Sequence, residues 1–147
     1  GVAGAMARSG GITLTDAARE KYKERGKPFE PGEIYVTSSG LMQRKKIYYV
    51  YHAVTMKYPG GKTGIDIVQN CLRNIFLKAR EEKIKTIAIP GLGTGIGGLD
   101  KNLVAQRMHQ KIIEFLYYFD KVTIVDRDEN FINYIKKINK HHKENEK

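Results

Sequence analysis

The residues best suited to chemistry lie in one run, Pro90-Gly91-Leu92-Gly93-Thr94-Gly95-Ile96-Gly97-Gly98-Leu99-Asp100, between an apolar strand pattern and a long amphipathic helix pattern. Glycine costs folding entropy, so a cluster this dense belongs where backbone takes positive φ or approaches another group closely. Successive N–H groups of such a loop can converge on an anion, and the positive end of the following helix adds to the attraction. The implied chemistry is phosphate binding by backbone. Gly93, Gly95 and Gly98 also fit the G-x-G-x-x-G spacing of dinucleotide folds, with Asp126 placed to meet ribose hydroxyls. That fingerprint expects the strand to run almost straight into its first glycine, whereas Pro90, Gly91 and Leu92 intervene here. A second stretch, Tyr58-Pro59-Gly60-Gly61-Lys62-Thr63, fails as a nucleotide phosphate loop because Met56 stands where a glycine is required.

Other reactive side chains offer less. Cys71 is the lone cysteine, which excludes an internal disulfide and a multi-cysteine zinc site. It falls inside a helical pattern, as a small buried thiol in a reduced compartment would. His52 lies in the β-rich run Ile47 to Val54, where a hydrogen-bonded core ring and a catalytic base both remain open. His141 and His142 are adjacent and do not share a helix face, so no metal site is expected there. The net charge of +10 favours an anionic partner such as nucleic acid, a nucleotide or another polyphosphate. Lys136, Lys137, Lys140 and Lys143 fit a solvated helix end equally well. Signatures of zinc fingers, major-groove helices and aromatic-faced RNA sheets are missing. No apolar run approaches the roughly 18 residues of a membrane span, and no secretory signal pattern opens the sequence. The expectation is a cytoplasmic protein, or a nuclear one in a eukaryotic cell, with no membrane partner.

These residues must be held by ordered elements. A chain of 147 residues reads as one domain that buries about two thirds of its unfolded surface, with 140–147 as a polar tail. Gly1 to Ala7 reads as a loop entering a short helix, Gly10-Gly11 breaks it, and helical composition resumes from Thr13 to Arg25. Glu33 to Ser38 and Ile47 to Val54 read as strands. Thr63 is placed to cap a helix over 64–82, lined by Ile65, Val68, Leu72, Ile75, Phe76 and Ala79. Ile84 to Ile89 is a buried strand leading into the glycine loop. Asp100 caps the next helix, Val122 to Val125 forms another strand, and Asp128 caps a last helix with the stripe Phe131, Ile135 and Ile138. This order implies helices on both faces of a largely parallel sheet, with the glycine loop at the ligand-binding edge.

Three segments sharpen the reading. Gly1-Val2-Ala3-Gly4-Ala5 looks like a first phosphate loop. Tyr49-Val50-Tyr51-His52-Ala53-Val54 is a strand ending in His-Ala-Val. Ile87 to Gly98 is a second loop with the core Gly93-Thr94-Gly95. In this order, over nearly the whole chain, they resemble the macrodomain family, the ADP-ribose-binding modules of the Appr-1''-p processing type. The resemblance implies an α/β fold of three layers, α/β/α, around a mixed, mostly parallel sheet, with ADP-ribose between the two loops. It also implies that Gly1, Val2, Ala3 and Gly4, with Gly93, Thr94, Gly95, Ile96, Gly97 and Gly98, face the diphosphate and distal ribose. Phe131 resembles an aromatic that stacks on adenine in some members, although it also opens an apolar helical stripe. No cofactor or metal is expected.

Two departures bear on function. The family's first two strands, its adenine-contacting aspartate and an asparagine facing the distal ribose are not found ahead of Gly1, so an N-terminal segment that completes the sheet is expected. Some hydrolases of the family carry an acidic residue where this chain has Ala3, others an aromatic where it has Gly97. No general base is evident near the distal ribose, and His52 and Asp100 are only the nearest titratable groups. Catalytic residues stay unassigned. The expected partner is ADP-ribose or an ADP-ribosylated protein. An enzyme acting on ADP-ribosyl adducts (a protein hydrolase, an O-acetyl-ADP-ribose deacetylase or an ADP-ribose phosphate phosphatase) and a non-catalytic reader of ADP-ribose or its polymer both remain open. A basic nucleic-acid-binding domain and a dinucleotide-binding domain are the further alternatives.

Overall fold

The structure is a computed structural model that describes residues 2–58, 60–95 and 97–146, with backbone alone at 2–4. Helix α1 spans Val2–Arg25 and is broken at Gly11, whose φ of 71 and ψ of −168 are non-helical. Strand β1, Ile34–Ser38, passes through a 3₁₀ turn, Gly40–Lys45, into β2, Tyr49–Ala53. Then come α2, Ile65–Glu81; β3, Thr86–Ile89; α3, Lys101–Phe115; β4, Lys121–Ile124; and α4, Glu129–Asn145.

The expected sheet is mixed and mostly parallel; the strands form one antiparallel and one parallel pair. β1 and β2 pair antiparallel from Ile34 opposite Ala53 to Ser38 opposite Tyr49, while β3 and β4 pair parallel from Thr86 opposite Lys121 to Ile89 opposite Ile124. Among the described residues no ladder joins the two pairs. Connection length accounts for the directions: a short turn joins antiparallel neighbours, whereas parallel strands need a crossover, here α3.

Strand alternation divides the core. Val50 points into a small cluster with Leu14 of α1 and Met42 of the 3₁₀ turn. Its neighbour Tyr51 packs against the large cluster, which holds Leu72 and Phe76 of α2, Ile89 of β3, Val104 and Met108 of α3, and Phe131 and Ile135 of α4. β2 therefore has α1 on one face and α2 on the other. The apolar stripe of α2 is fully realised: Val68, Cys71, Leu72, Ile75, Phe76 and Ala79 are all buried. Two local expectations change. Gly64, not Thr63, occupies the cap position of α2, and no side chain caps it. The stretch expected as a polar tail continues α4 to Asn145, with His142 Nε2 and Glu146 Oε1 2.9 Å apart one turn on.

Candidate phosphate-binding site

Parallel β3 and β4 end at one edge, where Val125 N donates to Ile89 O at 3.0 Å. Pro90 has no N–H to continue the ladder, and the chain leaves the sheet into the glycine loop. Asp126, one residue beyond the last strand contact, holds the loop's root. Its Oδ2 accepts from Gly91 N at 3.0 Å and its Oδ1 from Asp128 N at 2.9 Å. Asp128 caps α4 by accepting from Asn130 N and Phe131 N. Its carboxylate also pairs with Lys101 at the start of α3. The hydrogen bond from the Lys101 ammonium holds the Asp128 carboxyl below its ordinary pKa and raises that of Lys101. One carboxylate thus fixes the loop after β3 and another ties the starts of α3 and α4.

Within the loop, Leu99 N donates to Gly93 O and Gly98 N to Gly95 O, both at 3.1 Å. Gly93 has φ 75, a left-handed conformation that favours glycine. Gly97 is required by space, since a Cβ would lie 2.6 Å from Gly93 O and 2.8 Å from Thr63 Cγ2. Gly95 differs. Nothing lies within 4 Å of a Cβ built there, and the residue is exposed. Among the described residues, the N–H groups of Thr94, Gly95 and Gly97 have no hydrogen-bond acceptor. Asp100 caps α3 by accepting from Leu103 N at 2.9 Å, which sets the positive end of that helix just after the loop. The arrangement can bind an oxyanion through backbone donors.

The remaining expected site residues divide. Gly1 and Ile96 lie outside the described residues. Val2, Ala3 and Gly4 form the first turn of α1 and not a loop, so their amides belong to a helix start, where N–H groups lack intrahelical partners. Phe131 is 2% exposed and joins the core. Its ring edge lies 3.1 Å from where a Gly91 Cβ would be, so it supports the loop from beneath, and no exposed ring face is left for stacking. His52 is turned toward β1: its Nε2 lies 2.9 Å from Thr37 Oγ1 and its ring stacks on Tyr35 at 4.4 Å. Burial drives its pKa down to about 4, so the half-buried ring is neutral at neutral pH.

Two participants were not recognisable as such in the sequence. Asp126 reads there as a ribose partner, and only the β3–β4 register brings it to Gly91. Thr63 reads as a helix cap, but it packs against Gly97 with its Oγ1 buried and without a partner among the described residues.

A strand-terminal glycine loop, set before a capped helix on a parallel strand pair, defines the chain as an α/β protein. A family model described as Macro domain matches residues 1–108, and the chain belongs to that family. It is 34% identical over 117 residues to a macro domain-containing protein of Methanosarcina mazei, covering 79% of this chain and 58% of that protein. It spans only 19% to 66% of the length of four further curated relatives. Among solved structures, an Oceanobacillus iheyensis macrodomain mutant with ADPR superposes with a TM-score of 0.83 at 25% identity, covering 98% of this chain and 78% of that one. A Trypanosoma brucei macrodomain in complex with ADP-ribose shares the fold, with a TM-score of 0.77 at 22% identity and coverage of 94% and 56%.

Proposed function

We propose that this chain binds ADP-ribose, free or attached to a protein, and that the Gly91–Gly98 loop receives its diphosphate. The observation that carries this reading is the loop's construction. It is closed on itself by Leu99 and Gly98, anchored by Asp126, and presents the N–H groups of Thr94, Gly95 and Gly97 with no acceptor among the described residues. A diphosphate needs several convergent donors, and glycine lets the backbone approach it. Binding of ADPR by the similar Oceanobacillus iheyensis macrodomain supports the choice of ligand. Ile96 by sequence and the first turn of α1, Val2 to Gly4, complete the proposed cleft. The architecture proposed with it is the three-layer α/β/α sandwich, its sheet completed by a further strand.

Binding is the core of the reading, and hydrolysis is its second arm. The carboxylates around the loop have structural duties: Asp100 caps α3, Asp126 anchors Gly91 and Asp128 caps α4. Calorimetry with ADP-ribose should show saturable binding to the parent protein and none to Gly95→Phe, with thermal unfolding little changed because space is open at Gly95. Unaltered affinity in that variant would remove the loop from the site. Incubation with a mono-ADP-ribosylated protein then separates the arms: release of ADP-ribose defines a hydrolase, retention in a stable complex a reader.

A further inference from the structure

From Ile34 to Ile65 the chain contains no aspartate or glutamate, but five cations, Arg44, Lys45, Lys46, Lys57 and Lys62. Three of them sit together at the tip of the β1–β2 hairpin, followed at once by Ile47, Tyr48 and Tyr49. Arg44, Lys45 and Lys46 are exposed, and none of them forms an ion pair among the described residues. The tyrosines remain 53% and 52% exposed, although a ring of that size usually buries most of its area in a folded domain.

The tip is built and not merely loose. Ser39, 1% exposed, donates its hydroxyl to Ile47 O and its N–H to Tyr48 O at 3.1 Å. Lys46 N donates to Gln43 O at 3.0 Å and Ile47 N to Met42 O at 3.3 Å. Met42 is buried beneath the turn with Leu14 and Val50. The cations and rings therefore stand on a fixed backbone.

The tip is remote from the glycine loop. α2 begins beside that loop, where Val68 faces Gly93, and ends at the opposite side, where Tyr51 donates to Glu82 at 2.9 Å. A helix of 17 residues spans on the order of 25 Å. Glu81 and Glu82, at that end, are engaged by Lys78 and Tyr51.

We propose that the β1–β2 tip binds single-stranded nucleic acid, Arg44, Lys45 and Lys46 meeting phosphates and Tyr48 and Tyr49 stacking on bases. Cations alone would suit any polyanion. Exposed rings next to them select a strand whose base faces are open, which a duplex hides and stacking rewards. A membrane surface would call for a broader apolar face than Leu41 and Ile47 offer beside three cations and two hydroxyl-bearing rings. The site is independent of the ADP-ribose reading, so each can fail alone.

The test uses the full-length protein with fluorescein-labelled oligouridine and oligothymidine of about 10–16 nucleotides, read by anisotropy between about 50 and 200 mM salt. Binding of both probes, falling with salt, is expected; a preference between them identifies RNA or DNA as the source. Arg44→Ser/Lys45→Ser/Lys46→Ser should lower the logarithmic salt slope by about 2, at roughly 0.7 per lost phosphate contact. Tyr48→Ala/Tyr49→Ala should weaken binding roughly fivefold or more with the slope kept. Thermal unfolding and circular dichroism like the parent's show that both variants are folded. A separate pair, Tyr48→Leu/Tyr49→Leu, repeats the ring test if the alanine variant unfolds. Parent-like affinity in the variants, equal affinity for duplex, or binding only to vesicles containing phosphatidylserine would each overturn the proposal.

Discussion

At the scale of single residues, the groups that look reactive in isolation are the ones most absorbed by the core. Cys71 is fully buried, its Sγ donates to Val54 O, and burial pushes its pKa up to about 11. This matches a structural thiol. His52 is the more testable case. Burial lowers its pKa from 6.5 to about 4, so the unfolded chain takes up a proton that the folded ring refuses. The ring's contribution to stability is therefore complete above about pH 6.5 and is lost as pH falls from there toward about 4. Denaturant midpoints for His52→Gln should fall less than those of the parent over that window; parallel pH profiles would show that His52 does not titrate with unfolding. Gly95 is the converse residue, exposed and with open space where a Cβ would stand. A side chain there costs the protein little and should cost the ligand its approach.

Elements decide what the residues can reach. The glycine loop, the caps Asp100 and Asp128 and the stripes of α2 and α4 were legible because each depends on neighbours within a turn or two. Asp126 was not legible as the loop's anchor because its partner, Gly91, lies 35 residues away, and only the parallel register of β3 and β4 makes them adjacent. The prediction follows at this scale. Asp126→Ala removes two acceptors that each contribute about 1 kcal/mol, so thermal stability should drop and ADP-ribose affinity should weaken as the loop root loosens. Asp126→Asn, which keeps one acceptor, should fall between. Parent-like binding in the alanine variant would show that Pro90 and the turns within the loop suffice. Val2 to Gly4 mark the limit of pattern reading. Small residues suggested a loop, yet alanine and glycine also enter a helix start, and the structure carries α1 from Val2.

The whole molecule is two strand pairs wrapped by helices, and this is where sequence reading was least complete. Each of the four strands keeps one edge with no strand on it among the described residues, and unpaired edges recruit other strands. A polypeptide of these 147 residues is expected to associate with concentration in sedimentation runs, and its edge amides to exchange with solvent faster than they would beside the proposed further strand. A monomer with equally protected amides would exclude that strand. Charge also belongs to this scale. The net charge of +10 says only that an anion is welcome; the structure gathers three of the cations, Arg44, Lys45 and Lys46, at the exposed hairpin tip. By itself the sequence determined most of the elements, the caps of α3 and α4 and the family, because strand and helix periodicity and a Gly-Thr-Gly loop are local properties of the chain. Only the tertiary structure decided that Phe131 supports the loop from within the core, that Asp126 anchors the loop, and that Tyr48 and Tyr49 stay outside. Burial and pairing across tens of residues depend on which surfaces meet.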